Sequence, residues 1–250
     1  MEVIPKIISA LDDITPGSLK SIEKLYSKVF QNVVVVSKPE VAEMMKLYEN
    51  CQRMLCIAYV NEMADACIPY GIDPYEVCAA ASTKPFGYMP FTPSLGVGGP
   101  CIPVNPYYLL SNSEFPLLQA ATERMSQRPA IVGNRAMVAL HRRYPEKFAK
   151  RRPYILVVGA GFKRDQSLIN CSPGVDLMKA LLQTWEAHVS FVDPLVDESA
   201  IPFVPRLDEK TDWNKASLEQ FDLIIVAVRQ EGLDFKILEE LDSVQVEMWN

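Results

Sequence analysis

The sequence predicts an α/β chain with a helical middle, on three observations. From Tyr154 onward, apolar runs alternate with helical stretches: YILVVGAGFKRD, SPGVDLMKALLQTW, HVSFVDPLV, FDLIIVAV and a final VQVEMW. Strands that are apolar throughout and separated by helices belong to a parallel sheet. Upstream, a helical pattern runs unbroken from Ser37-Lys38-Pro39-Glu40 to Pro69-Tyr70-Gly71. At the front, the amphipathic SLKSIEKLYSKVF leads into the β-branched run Val33 to Val36, a helix feeding a buried strand.

Residues 1–36 hold a short apolar piece, VIPKIISAL, a helix-start signal at Thr15-Pro16, and one good strand. A single strand cannot make a stable sheet, so this segment reads as the tail of a domain that begins earlier. Residues 37–150 form the middle. Ser37, Pro39 and Glu40 announce a helix of about 30 residues, roughly 45 Å long. Val41, Met45, Tyr48, Cys51, Leu55, Ala58 and Val60 recur along it, with apolar residues on other faces too, so central burial is expected. Helical segments near 115 to 150 end in the basic run Lys147 to Arg152, read as a solvated link. Residues 151–250 carry the parallel sheet.

At 250 residues, 49% hydrophobic and 22% charged, the chain is long enough for one large or two small globular domains. Lys and Arg number 25 against 31 Asp and Glu, a net charge of -6. The chain as a whole therefore offers no electrostatic footprint for nucleic acid or an anionic membrane, and an anionic substrate needs a local cationic pocket. The six cysteines include no CxxC pair and stand far from the two histidines, so no metal site is spelled out, and reduced thiols of a cytoplasmic protein are expected. No apolar run reaches a membrane span of about 18 residues, and MEVIPKIISALDD lacks the pattern of a signal peptide.

Two stretches invite chemistry. In TKPFGYMPFTPSLGVGGPCIPVNPYY, residues 83–108, Gly96, Gly98 and Gly99 allow close approach of a ligand to main-chain amides, while Pro93, Pro100, Pro103 and Pro106 stiffen the loop around Cys101. A thiol becomes a nucleophile as thiolate, near a cation or oriented donors. No such partner is adjacent in sequence, and spacing alone leaves a packing residue and a nucleophile equally open. Gly159-Ala160-Gly161 follows a strand, but the third glycine of a dinucleotide fingerprint falls at Arg164, a weak signal.

Three segments, AEMMKLYENCQRMLCIAYVNEMADACIPYGIDPYEVCAAASTKPFGYMPF, SLGVGGPCIPVNPYYL, and ILVVGAGFKRD with CSPGVDLMKALL and VSFVDP, resemble the nucleotide-sugar 6-dehydrogenases in the same order and over essentially the whole chain. The resemblance implies a remnant of an NAD-binding Rossmann domain (1–36), a helical central domain with dimerisation through its long helix (37–150), and a Rossmann-like domain binding a UDP-sugar (151–250). It implies NAD as cofactor and oxidation of a UDP-hexose C6 alcohol to a carboxylate, through a thiohemiacetal and a thioester on Cys101. Lys46 and Asn50 match residues that flank the reacting carbon, and their spacing of four puts them on one helix face. Asn105 matches a catalytic position. Phe91, Gly96, Gly98 and Gly99 match the sugar-nucleotide loop, and Lys163 matches a lysine reaching the substrate.

The chain departs from this pattern at functional positions. Pro100 replaces histidine or serine, Asn105 an aspartate, Asn170 and Trp249 two arginines, and Met125 an asparagine. The family's glycine fingerprint, ribose-binding acid and catalytic glutamate are expected before Met1. The expectation is therefore a dehydrogenase polypeptide inactive alone, the alternatives being a non-catalytic UDP-sugar binder or dimerisation partner, and a framework adapted to another thiol reaction.

Overall fold

A computed structural model describes residues 3–249. The chain divides into two compact units, Met1–Gln52 and Arg53–Asn250.

In the first unit, β1 (Lys6–Ile8) leads through α1 (Ser18–Tyr26) to β2 (Val33–Val35). The strands are parallel, with Lys6 opposite Val33 and Ile8 opposite Val35. This corrects the expectation of a single strand: β1 lies inside the apolar VIPKIISAL, and three residues are too few to show a period in sequence. Gly17 enters α1 at φ 86, and Asp12 Oδ1 accepts from Ser18 Oγ (3.0 Å) and Leu19 N (2.8 Å), supplying the missing cap. Nothing in α1 is buried, and Val34 and Val35 are exposed.

Helix α2 spans Pro39–Cys67 and ends in a 3-10 turn, Ile68–Tyr70, closed by Gly71 in the left-handed region. Both ends fall where the Pro-Glu start and the Pro-Tyr-Gly stop place them. Its burial differs from expectation: Val41, Met44, Met45, Tyr48 and Tyr59 are exposed. Apolar residues on several faces are therefore not matched here by packing on several faces. The buried ones in its second part are Met54, Ala58, Val60, Ala64 and Cys67.

The second unit continues with α3 (Pro74–Ala81), capped by Asp73, whose side chain accepts from Tyr75 N. A long loop leads to α4 (Asn105–Leu110), α5 (Pro116–Arg143) and α6 (Pro145–Phe148). Then follow β3 (Tyr154–Val158), α7 (Pro173–Trp185), β4 (His188–Val192), α8 (Lys215–Leu218), β5 (Leu223–Val226) and β6 (Gln245–Met248). The sheet is parallel throughout, in the order β4-β3-β5-β6. Ile155 and Val157 face a core shared with α5 and α7, whereas Leu156 and Val158 face one holding Leu218, Leu233 and Leu238. That alternation buries both sheet faces and explains why the strands are apolar throughout. The outer edge of β4 is taken by residues 205–207: Phe191 N donates to Pro205 O (3.0 Å) and Leu207 N to Phe191 O (2.7 Å).

The basic run before the sheet is not merely solvated. Asp222, 2% exposed, accepts from both terminal nitrogens of Arg151 (2.7 and 2.8 Å) and from Tyr154 N (2.9 Å), with Lys147 Nζ at 2.6 Å. Burial pushes the Asp222 carboxyl upward, but the hydrogen bonds from Arg151 and Lys147 outweigh it and hold the group below its ordinary 3.8. Among the described residues, no helix is long and apolar enough to cross a membrane.

Candidate functional site

Lys46 and Asn50 lie in the first unit, on α2. Lys46 is exposed and pairs with Glu49 (3.1 Å), while Asn50 is buried. The other predicted site residues lie in the second unit.

There the glycine loop is pinned at two points. The first is Ser94: its N–H donates to Asn61 Oδ1 (2.8 Å), its carbonyl accepts from Arg128 Nε (2.9 Å), and its hydroxyl donates to Gly96 O (3.1 Å). The second is Gly99, whose N–H donates to Asn170 O (2.9 Å). Between them the loop lies flat on the sheet domain. A Cβ at Gly98 would stand 2.9 Å from Cys171 O and from Phe162 Cβ, and one at Gly99, where φ is +91, 2.7 Å from the Phe162 ring. Glycine is required at both places by this approach. The structure thus brings Gly98 and Gly99 against the segment carrying Lys163, which is itself exposed, and Gly96 against Pro129 and Pro173.

Cys101 follows as an exposed thiol, and its carbonyl accepts from Val104 N (3.2 Å) and Asn105 N (2.9 Å) as α4 begins. Asn105 is therefore the first residue of α4 and partly buried, as is Phe91. Beside the loop is a cavity of about 410 Å³, lined by Met54, Val97, Tyr107, Met125 and Cys171 among others. Cys171 is a second exposed thiol, held at φ 49 in the left-handed region. Its sequence signal was present in CSPGVDLMKALL, immediately before the cap and proline that start α7. Met125, where the resemblance implies an asparagine, gives this cavity an apolar wall.

The glycine turn after β3 does not fit a dinucleotide pyrophosphate. Its amides are already satisfied: Ala160 N and Gly161 N donate to Asp193 Oδ2 (2.7 and 3.0 Å), with Asp193 itself fully buried. Gln230 closes the space, donating from Nε2 to Asp193 Oδ2 (3.2 Å) and to Gln166 O (3.1 Å), and accepting from Asp165 N (2.8 Å). A Cβ at Gly161 would stand 2.2 Å from Gln166 O. A carboxylate from the chain's own β4 end takes the place an anionic ligand takes in dinucleotide sites.

The cluster that sequence reasoning missed surrounds Asp65. Its carboxylate accepts from Arg128 Nη1 (2.8 Å) and Arg135 Nη1 (3.0 Å), and Arg124 stands at 3.9 Å. Burial pushes the Asp65 carboxyl upward, and the two guanidinium hydrogen bonds override it to hold the group below 3.8. The Trp249 ring lies against both cations, 5.1 Å from Arg128 and 5.2 Å from Arg135. Tyr75, whose hydroxyl reaches toward Pro93 O and Met248 O (3.4 Å each), is pushed up to about 12 by burial.

The fold is of the parallel α/β class, with a glycine loop presenting an exposed thiol, and comparison with known proteins narrows that class. Residues 40–125 match the central domain of the UDP-glucose/GDP-mannose dehydrogenase family. The chain is 32% identical over 200 residues to a UDP-N-acetyl-D-glucosamine 6-dehydrogenase of Pseudomonas aeruginosa, covering 76% of this chain and 46% of that protein. It is 32% identical over 235 residues to the protein of that name in Salmonella typhi, covering 88% and 52%. Among solved structures, a UDP-D-ManNAc dehydrogenase from Pyrococcus horikoshii matches with a TM-score of 0.78 and 25% identity, over 99% of this chain and 56% of the other. The chain belongs to the UDP-glucose/GDP-mannose dehydrogenase family. It spans about half the length of the curated relatives it matches.

Proposed function

We propose that the chain supplies the thiol-bearing, sugar-nucleotide-binding part of a nucleotide-sugar 6-dehydrogenase acting on a UDP-hexose. One observation carries this reading: the glycine loop is closed on the segment of Phe162 and Lys163 while Cys101, next to its second pin, stays exposed. The exposed Lys163 cation on that segment suits a phosphorylated ligand, and an exposed thiol on the loop packed against it suits attack on that ligand's carbonyl.

In this reading the Cys101 thiolate adds to the C6 aldehyde, forming a C–S bond while the carbonyl electron pair moves to oxygen. The resemblance gives Lys46 and Asn50 the role of donors to that oxyanion. At the thioester stage water adds to the acyl carbon, the C–S bond breaks, and carboxylate and thiol are released. NAD, when bound, accepts hydride; no described residue is assigned to it, and the glycine turn after β3 does not fit it. On their own these residues bind the sugar nucleotide without oxidising it, and the exposed apolar residues of α2 pair two copies.

The test is a titration of the chain with UDP-hexose, read by thermal unfolding and by alkylation of Cys101. Ligand at a hundredfold excess over its Kd adds about 2.7 kcal/mol of stability and slows alkylation of Cys101, and Lys163→Ala weakens both effects. No shift at any attainable concentration overturns the reading. In a form of the protein that reduces NAD, Cys101→Ser abolishes turnover.

A second reading, a non-catalytic UDP-sugar binder, is favoured by Trp249. It stands where the resemblance implies an arginine, and its ring covers Arg128 and Arg135, both committed to Asp65. Binding that survives Cys101→Ser, without NAD reduction in any form of the protein, supports it.

A further inference from the structure

We infer that Arg128, held by Asp65, is a positioning residue for the Cys101 loop, acting on the thiol through the main chain of Ser94 without touching it. The inference rests on the reading of Cys101 as the nucleophile.

The geometry is that of a clamp. Ser94 is gripped from two helices, by Asn61 of α2 on its N–H and by Arg128 of α5 on its carbonyl. Asn61 is 0% and Arg128 2% exposed, so water does not compete for either bond. Arg128 in turn cannot swing away. Its Nη1 is engaged by Asp65 Oδ2, the other oxygen of Asp65 is engaged by Arg135, and the Trp249 ring lies against both guanidiniums. Downstream, Leu95 is buried and Gly99 is pinned to Asn170. Cys101 is the first exposed side chain with nucleophilic chemistry beyond those two pins, so its location follows from where Ser94 and Gly99 are held.

A buried ion cluster is a weak source of net stability, because desolvation offsets most of the Coulombic gain. Its specific product here is the fixed direction of the Arg128 Nε–H. Lysine at this position keeps the charge but has no planar fork to bond Ser94 and Asp65 together.

The experiment compares the parent chain with Arg128→Lys and Asp65→Asn. The rate of iodoacetamide alkylation is followed against pH, peptide by peptide, with added glutathione as the reference thiol, because Cys171 itself packs against the loop. Amide hydrogen exchange at residues 95–99 is the second measurement. A positioning role predicts a change of about tenfold in the Cys101 rate relative to glutathione, a displaced Cys101 pH profile, and faster exchange at residues 95–99. The double variant should be no worse than Arg128→Lys alone, because Asp65 acts on Ser94 only through Arg128. Lower thermal stability with an unaltered Cys101 rate relative to glutathione and unaltered exchange overturns the inference. A Cys101 that is unreactive in the parent chain overturns the nucleophile reading instead, and exchange at residues 95–99 still decides whether the clamp exists.

Discussion

Asp65 and Asp222 are each engaged by at least two cationic side chains, and both are held below their ordinary 3.8 by those cations against the opposing effect of burial. A depressed folded-state value means that each contributes stability above 3.8 and loses it as pH falls through the depressed value. Glu247 has the opposite sign. Burial pushes its carboxyl above 4.5, against the hydrogen bond from Gln245, so its contribution is present below 4.5 and lost as pH rises through the raised value. Denaturant titrations from pH 7 to pH 2 should therefore show a net loss of stability setting in below about 4, steeper in the parent than in Asp65→Asn. An equal slope in the two would mean that the Asp65 carboxyl titrates alike in the folded and the unfolded chain. The cluster itself was invisible in sequence, because Asp65 and Arg128 are separated by 63 residues and nothing local marks either as a partner.

Elements whose ends carry local chemistry were legible. Helix α2 begins and ends where Pro39-Glu40 and Pro69-Tyr70-Gly71 place it, and α7 begins at the Ser172-Pro173 pair, with the Ser172 hydroxyl accepting from Val175 N. Strand β1 was not legible, since pairing with β2 defines it and its own three residues do not. The turn after β3 was half legible: its glycines could be read, but the side chains that fill it, Asp193 and Gln230, come from other strand ends. Gly159→Ala tests that turn. The backbone there has φ +86, and a Cβ would stand 2.3 Å from Val228 O. Left-handed strain of roughly 1–2 kcal/mol adds to an overlap with main chain that cannot turn aside, so the variant should lose several kcal/mol in chemical denaturation. A loss under about 1 kcal/mol would show that the β3 and β5 ends separate easily.

At the scale of the whole molecule, the two units differ in how much they bury. The first has a two-stranded sheet, no buried residue in α1, and exposed valines on β2. The second has four parallel strands with both faces covered. Isolated two-stranded sheets are marginal in water, so amides of residues 6–8 and 33–35 should exchange many-fold faster than those of β3 and β5 when followed by mass spectrometry. Equal protection would require that the first unit be covered by another surface. Sequence pattern foresaw the parallel sheet, because strands buried on both faces must be apolar throughout. It did not foresee which faces of α2 are covered, because apolar composition does not say what packs against it. The segment 205–207 along β4 carries one more consequence. An open sheet ordinarily has two edges at which a foreign strand can add, and here the β4 edge already holds hydrogen bonds from its own chain. Lateral growth, whether into a useful assembly or into an aggregate, is thereby restricted to the side of β6, which pairs with β5 alone among the described strands.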